Sequence, residues 1–464
     1  MKGSRLVHHR PYIPPNRPFD KQRPYICRLA PETNAFALEW LRREEGAHTL
    51  FVSERGKDAY IKMPLDGPIA RVDGLENNTT YEFYIESPTG IKSNTRLLLT
   101  GACPAGTSVI NYLHPDDEQY DFSGRYLCSP SLVRLPNGNL LAGMDLFGPE
   151  KGQCLILLFT SPDDGKSWQY VTDLYPFYWA NLFLHKGAVY ALGQSQEYGD
   201  LMLIRSEDGG QTWSAPALLL YGSSVRCSAG GPQHTPMHIV NYNGRLYTSY
   251  EYGNWSIGGH QPGVISIDEN ADLMQAENWS FSETVPYEGR WAQESGTRGD
   301  AIEGNMVIAP DNQLYCFIRY KVGELLKMQV NTKDADAPLQ YVGIYPAPVS
   351  NSMFRIIPYK GKYLLITNRK TEESDKFKCK AFRNVLSLFV TEDLEHFKLI
   401  RDIVDFREQD PQYFGFQYPC PILEKDGLRL SIRSAFNNAN SYHNSNHMLY
   451  CFIPDEEIMQ GLNN

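Results

Sequence analysis

Hydrophobic and polar positions alternate in short strands over residues 23–102, as in Phe36-Ala-Leu-Glu-Trp40, His48-Thr-Leu-Phe-Val52 and Thr80-Tyr-Glu-Phe-Tyr-Ile85. From residue 103 onward the pattern changes. A short apolar strand meets a Gly-type turn and continues as a second apolar strand. The instances run Leu132 to Leu141 about Gly138, Leu182 to Tyr190 about Gly187, and Ile239 to Tyr247 about Gly244. Three more run Val307 to Tyr315 about Asn312, Ile356 to Leu364 about Gly361, and Ile422 to Leu430 about Gly427. These hairpins stand about fifty to seventy residues apart, room for one four-stranded blade each, and six such blades close a propeller. Ser108-Val-Ile-Asn-Tyr112 is expected to complete the last blade beside Met448 to Ile453, which hides the sheet edges.

Two octapeptides mark an internal repeat: Ser161-Pro-Asp-Asp-Gly-Lys-Ser-Trp168 and Ser206-Glu-Asp-Gly-Gly-Gln-Thr-Trp213. Asp163 and Asp208 can accept hydrogen bonds from the backbone of a tight turn, and Gly165 and Gly210 supply a permissive backbone. Trp168 and Trp213 are expected to pack between neighbouring sheets. The pattern predicts a structural staple between strands three and four of the first two blades. Degenerate versions follow at Ser266-Ile-Asp268, with Trp279 further on, and at Thr391-Glu-Asp393 with Phe397.

With these boxes the chain, over residues 103–464, resembles the Asp-box (bacterial neuraminidase repeat) superfamily of six-bladed, sialidase-like β-propellers. Residues 23–102 resemble a fibronectin type III domain. Trp40 stands where that family places its core tryptophan, and Gly74-Leu75-Glu-Asn-Asn-Thr-Thr-Tyr81-Glu-Phe83 matches its tyrosine corner. The resemblance implies an all-β chain: an N-terminal β-sandwich that acts as a spacer or docking module, followed by the propeller. Residues 1–22, rich in Pro, Arg and His without periodicity, are expected to be an extended arm.

Composition narrows the partners. The 29 Tyr, 21 Phe and 7 Trp, with 37 Gly and 30 Pro, suit a β-rich protein with many turns. A net charge of −10 excludes nucleic acid, which demands a basic face. No apolar run approaches the roughly 18 residues of a membrane span. Nine cysteines without a CxxC pair predict neither a zinc site nor a complete disulfide framework, and no metal or cofactor is expected. Free thiols and an N-terminus without a hydrophobic segment read as cytoplasmic. Secretion would require that a signal had been removed.

Counting from the turns locates a site. Nine or ten residues back lie the starts of the strands lining the channel: Cys128/Ser129, Phe177/Tyr178, His234/Thr235, Ile302/Glu303, Asn351/Ser352 and Gln417/Tyr418. Six or seven residues forward lie the second-strand ends: Asp145, Gln194, Glu251, Arg319, Asn368 and Arg433. Each of these polar groups ends an apolar strand. Strand ends are often polar because they reach solvent, but a full ring of them at one channel mouth is what a sugar site needs.

The resemblance adds roles. A Glu that begins an inner strand and an Arg that ends the next are matched by Glu303 and Arg319, and the tyrosine of the last blade by Tyr418. The Glu deprotonates the Tyr, the Tyr attacks the anomeric carbon, and arginines hold the substrate carboxylate. A phenol of pKa about 10 needs such a base. Arg319 and Arg433 suit an anion, with His234, Glu251, Asn368, Gln417 and Gln194 as further substrate contacts. The acid is Asp145, with Glu150 and Glu251 as alternatives. One departure stands out: the arginine that sialidases carry at the start of blade one is Cys128 here. Arg355-Ile-Ile-Pro358 has the letters of that segment but falls in blade five, where it reads as an ordinary strand.

The expected function is therefore an exo-acting glycoside hydrolase that removes a terminal acidic sugar from an oligosaccharide or polysaccharide. Two alternatives stay open. His234 and Tyr418 could serve as base and acid of a polysaccharide lyase on a uronic-acid glycan, and the propeller could bind glycans without catalysis. His443 and His447 read as surface or structural residues, and Trp291 and Arg298-Gly-Asp300 as a loop over the site. Oligomeric state is left open.

Overall fold

The computed structural model describes residues 20–148, 152–222, 230–254, 259–286, 301–379 and 381–463. Near the N-terminus two sheets face each other. One holds Tyr25–Pro31, Ala35–Leu41 and Ile69–Asp73; the other holds Ile61–Leu65, His48–Glu54, Thr80–Glu86 and Arg96–Leu99. Alternation drives this packing, because every second residue of a strand points to the same face. Phe36, Leu38, Trp40, Leu50, Phe83 and Ile85 thereby form a shared, fully buried core. The Tyr81 hydroxyl accepts the Glu76 N–H at 2.9 Å and closes the corner before its strand.

Six four-layered blades follow, in the order in which the hairpins occur. Their inner strands are Tyr126–Arg134, Tyr178–His185, the pair Gly231–Gln233 and Val240–Tyr242, Ile302–Ile308, Arg355–Tyr359 and Gly415–Glu424. The turns follow from residue chemistry. Lys186-Gly187, Asn243-Gly244 and Lys360-Gly361 hold both φ angles positive (47° and 85°, 51° and 78°, 46° and 77°), the type I′ geometry that suits the twist of two-residue hairpins. In blade three the inner strand is split. Pro236 lies between the two pieces and has no N–H to give to the ladder. The last blade is closed by Thr107–Tyr112, which pairs antiparallel with His447–Pro454, so the ring leaves no open edge at its seam.

The Asp boxes sit between strands three and four, as their pattern predicts. Asp163 accepts the Ser161 hydroxyl at 2.9 Å, the Ser167 N–H at 2.8 Å and the Ser167 hydroxyl at 2.6 Å. Asp208 accepts the Gln211 and Thr212 N–H groups at 3.0 and 2.9 Å and the Thr212 hydroxyl at 2.5 Å. In blade five, Asp393 likewise accepts the N–H groups of Glu395 and His396. Trp168 meets Tyr450 of the last blade edge to face at 5.6 Å, and a Cβ on Gly165 would lie 2.0 Å from that tyrosine ring. The first box therefore pins blade one to the closing seam. Among the described residues the Asp268 carboxylate of blade three caps only the N–H of Asn270, and Trp279 is held separately through its indole N–H to Leu273 O.

The sandwich is docked, not tethered. Arg28 donates to the carbonyls of Ile110 and Val109 at 2.8 and 2.9 Å, and Leu29 N–H to Asn111 Oδ1 at 3.1 Å. Arg96 and Asp117, both fully buried, pair at 2.6 Å. The helix Asp455–Asn463 packs on the outer strand of blade five and on the second and third strands of blade six. Among the described residues no helix is long and apolar enough to cross a membrane.

Candidate functional site

The blades place one residue each at the mouth of the axial channel. The inner pairs that border the break in each ladder on its mouth side are Leu127 with Leu146, Tyr178 with Gln194, Gln233 with Glu251, Ile302 with Arg319 and Gln417 with Arg433. The residue after each first member is Cys128, Trp179, His234, Glu303 and Tyr418. In blade five the Ser350 N–H bonds to Asn368 O at 2.8 Å, which puts Asn351 at the matching place. In blades two, four and six the register then slips through a bulge, and Trp179, Glu303 and Tyr418 take positive φ angles of 49°, 63° and 55°. That backbone is unfavourable for non-glycine residues, and bulges commonly re-aim side chains toward a site.

Two of these re-aimed side chains meet. The Tyr418 hydroxyl donates to Glu303 Oε1 at 2.5 Å, and Arg319 Nη1 stands 2.9 Å from Glu303 Oε2 and 3.1 Å from the Tyr418 oxygen. Glu303 is wholly buried and Tyr418 nearly so. The Glu303 N–H donates to Glu251 Oε1 at 2.7 Å, so Glu251 holds the strained turn from behind. Two further guanidinium groups flank the phenol ring, Arg433 at 5.0 Å and Arg383 at 5.8 Å from its centroid. Burial pushes the Tyr418 phenol up to about 12, with the Glu303 charge adding to it, while Arg319, Arg383 and Arg433 pull the other way.

Arg433 fills the space beside Cys128. It donates to the Cys128 sulfur at 3.2 Å, to Ser445 Oγ at 3.2 Å and to the His443 carbonyl, and it lies over the Phe147 ring at 4.6 Å. Arg383 precedes strand three of blade five and was not legible in the sequence. Its guanidinium bonds to the Asn351 carbonyl and to Gln417 Oε1. Three arginines thus surround Tyr418 although position 128 is a cysteine.

Asp145 corrects the sequence register. Leu146, not Asp145, holds the place shared by Gln194, Arg319 and Arg433; blade one carries five regular pairs between its turn and the bulge at Cys128 and Ser129, one more than blade four, so the count falls one residue short. Asp145 lies across from that bulge, 1% exposed, beside Cys128 and Arg433, and neither of its oxygens makes a hydrogen bond of good geometry. Burial raises its carboxyl to about 8, and that of Glu251 also to about 8. Both are therefore acids that keep their proton at neutral pH.

A stability prediction follows for Asp145. Its folded-state pKa lies above the unfolded value near 4, so the native state holds a proton that the unfolded chain releases, and stability falls as pH rises from about 4 to 8. Asp145→Asn removes that loss. At pH 8 the variant should melt roughly 3–6 °C above the parent, with the gap closing toward pH 4. Calorimetry across this range checks it; a gap independent of pH would contradict it.

The remaining predicted residues divide by what their polar atoms do. The Asn368 amide nitrogen is committed to the carbonyls of Arg383, Val385 and Phe416, and Gln417 spans Arg383 and the Tyr442 carbonyl. Both brace the wall that carries Arg383 and Tyr418. Gln194 donates to Pro232 O at 2.6 Å, and its Oε1 has no partner among the described residues. His234 is fully buried; its Nδ1 bonds to Ser249 O at 2.9 Å and its Nε2 has no partner among the described residues. Burial lowers His234 to about 4, and no hydrogen bond joins it to Tyr418 among the described residues. His447 stacks on Phe436 at 4.0 Å inside the last blade, whereas His443 is exposed and touches Phe147 edge to face.

Arg355 overturns its reading as an ordinary strand residue. It is fully buried and crosses the channel, donating to Pro419 O at 3.1 Å and to Pro236 O. Asp163, Trp168, Asp208 and Trp213 make their contacts within their boxes and neighbouring strands and are in no contact with Tyr418 or Glu303. Glu150, Trp291, Arg298 and Asp300 lie outside the described residues. Among the described residues no group of three His, Cys, Asp or Glu side chains could hold a metal ion, and the eight described cysteines are free.

Comparison with solved structures returns the same architecture. The α-L-arabinofuranosidase Arb93A of Fusarium graminearum, solved with an iminosugar inhibitor, is 14% identical, with a TM-score of 0.52 over 77% of this chain and 99% of its own. The leech intramolecular trans-sialidase, solved with 2,7-anhydro-Neu5Ac, is 10% identical, with a TM-score of 0.50 over 95% of this chain and 93% of its own. At such identities the likeness is one of fold: a sialidase-like β-propeller. No curated protein sequence matches. The sequence pattern of the BNR repeat-like domain, however, matches residues 180–432, more than half of the chain and most of blades two to six. With Asp boxes folded as staples and a closed ring of six blades, the chain belongs to the BNR repeat-like domain family.

Proposed function

We propose that this protein is an exo-acting glycoside hydrolase that removes a terminal acidic sugar by way of a glycosyl–Tyr418 intermediate. The observation that carries the reading is the buried Tyr418–Glu303 hydrogen bond of 2.5 Å inside a set of three arginines. A phenol whose proton is held this tightly does not ionise on its own. Its proton passes to Glu303 as the Tyr418 oxygen attacks the anomeric carbon. The bond to the leaving group breaks in the same step, and Asp145, protonated at neutral pH, gives its proton to the departing oxygen. Water then attacks the same carbon. Asp145 takes the water's proton, Glu303 returns its own to Tyr418, and the sugar leaves with retained configuration. The arginines stabilise the phenolate-like transition state and attract an anionic substrate group.

We read residues 23–102 as a fibronectin type III-like docking module, supported by the three-plus-four strand arrangement and the Tyr81 corner. The lyase alternative draws on His234, which is neutral with an open Nε2, although a group that ionises near 4 is a weak base. Incubation with aryl and alkyl glycosides of acidic sugars, followed by proton NMR, tests the proposal. Release of the free acidic sugar, first as the retained anomer, is the expected result. An ultraviolet-absorbing unsaturated product would assign a lyase, and no turnover of any glycoside would leave a binding protein.

A further inference from the structure

The fourth strand of each blade is an outer edge, whose unpaired N–H and C=O groups can template another chain. Among the described residues the edges of five blades are short or covered. In blades one and six the sandwich guards them. Glu39 accepts the Tyr170 N–H at 2.8 Å, and Arg28 takes up the carbonyls of Val109 and Ile110. In blade five the strand Lys398–Asp405 carries Lys398, Arg401, Asp402 and Asp405, and the C-terminal helix packs on it. The fourth strands of blades two and three, Ala217–Leu220 and Ser280–Phe281, are only four and two residues long.

Blade four differs. Its fourth strand, Gln340–Pro346, runs for seven residues beside Glu324–Gln329 and holds no charged residue. Tyr341 and Val342 are 40% and 39% exposed, although both are large and apolar. Among the described residues no hydrogen bond reaches its backbone from outside Glu324–Gln329. A bulge sets Val342 outside the inner ladder, and bulges can blunt an edge. The fourth strands of blades one, two and five bulge in the same way, however, so this one belongs to the blade and is no special guard.

The sequence of the strand says what fits it. Tyr341-Val342-Gly343-Ile344-Tyr345 reads alike in both directions: aromatic, β-branched, glycine, β-branched, aromatic. An antiparallel neighbour runs in the opposite direction. A second copy paired about Gly343 therefore sets Tyr341 opposite Tyr345 and Val342 opposite Ile344, each pair twice. Aromatic and β-branched cross-strand pairs are favourable on a sheet. A twofold interface must be complementary to itself, and this strand meets that condition. Glycine at the centre leaves room where two backbones approach closely.

We infer that two copies of this chain associate through blade four, with their Gln340–Pro346 strands paired antiparallel about Gly343 into one continuous sheet. Glu303 stands on the inner strand of the same blade and this edge on the outer one, so the channel mouths stay open. The dimer does not depend on how the channel is read.

Sedimentation velocity of the full chain over about 1–100 µM tests the assembly, because small interfaces dissociate in that range. The parent should pass from monomer toward a species of twice its mass. Val342→Lys and Tyr341→Lys each place a charge on the edge, the device by which natural edges avoid pairing, and should weaken the dimer about tenfold or more. Hydrogen exchange read by peptide mass locates the contact. Amides of residues 340–345 should gain protection as the parent is concentrated, and should gain none in the lysine variants. Melting curves identify a variant that fails to fold, and the exchange result on the parent needs no variant. A parent that stays monomeric at about 100 µM would overturn the inference. So would a dimer protected only outside residues 340–345, or one that both folded lysine variants leave at parental strength.

Discussion

Tyr418→Phe is expected to lower kcat by about 10³-fold or more on any glycoside that the parent protein cleaves, with little change in KM. The substitution deletes one oxygen and keeps the ring between Arg383 and Arg433. Glu303 and Arg319, the two partners of that oxygen, stand 2.9 Å from each other and remain paired without it. The fold should therefore change in stability by no more than about 1–2 kcal/mol. A loss of activity without a loss of stability separates a nucleophile from a strut. Retention of a tenth or more of the parent kcat would remove Tyr418 from the chemistry.

Glu303→Gln carries the second large effect, and it has two independent readouts. An amide can still accept the Tyr418 hydrogen bond, but it cannot take the proton, so kcat should fall by about 10²- to 10⁴-fold. The negative charge that helps hold the phenol up to about 12 is also gone, whereas Arg319, Arg383 and Arg433 remain. One tyrosine should then ionise at lower pH than in the parent, visible as a tyrosinate absorbance step in a spectrophotometric titration and absent from the variant that also carries Tyr418→Phe. A merely structural glutamate would lose activity through unfolding and would shift no phenol. A folded Glu303→Gln protein with parental kcat would contradict the assignment.

The parts of this account legible in the sequence share a cause: they are set by short-range chemistry. Turn glycines and the Asp boxes act within eight residues, so their pattern survives without knowledge of the tertiary fold. Hairpin register is fixed by the turn, and counting from Asn312 and Gly427 reached Glu303, Arg319, Tyr418 and Arg433. The count failed where the backbone departed from a regular ladder. Blade one carries one regular pair more than blade four between its turn and its bulge, which displaced Asp145 by one position, and Pro236 split the inner strand of blade three. Arg383 escaped because it lies in an irregular segment ahead of a strand, where no periodicity marks it. Arg355 was misjudged for another reason: its strand is ordinary, but its side chain crosses the channel to carbonyls on two other blades. The amides of Asn368 and Gln417 were visible as polar residues, yet only the fold shows that they are spent on neighbouring carbonyls.

Together these features describe a closed ring in which two strained inner-strand residues bring a phenol and a carboxylate together beside three guanidinium groups. Cys128 does not strip this cluster of positive charge, because Arg433 bonds to its sulfur and lies beside it. The central claim is that Tyr418 forms a bond to the sugar. Incubation with an acidic glycosyl fluoride that carries a second fluorine beside the anomeric carbon slows the breakdown of such an intermediate. Intact-mass analysis and peptide mapping should then find one glycosyl adduct per chain, on Tyr418, and none on the Tyr418→Phe protein. An adduct on any other residue, or turnover of the reagent without an adduct, would contradict the account.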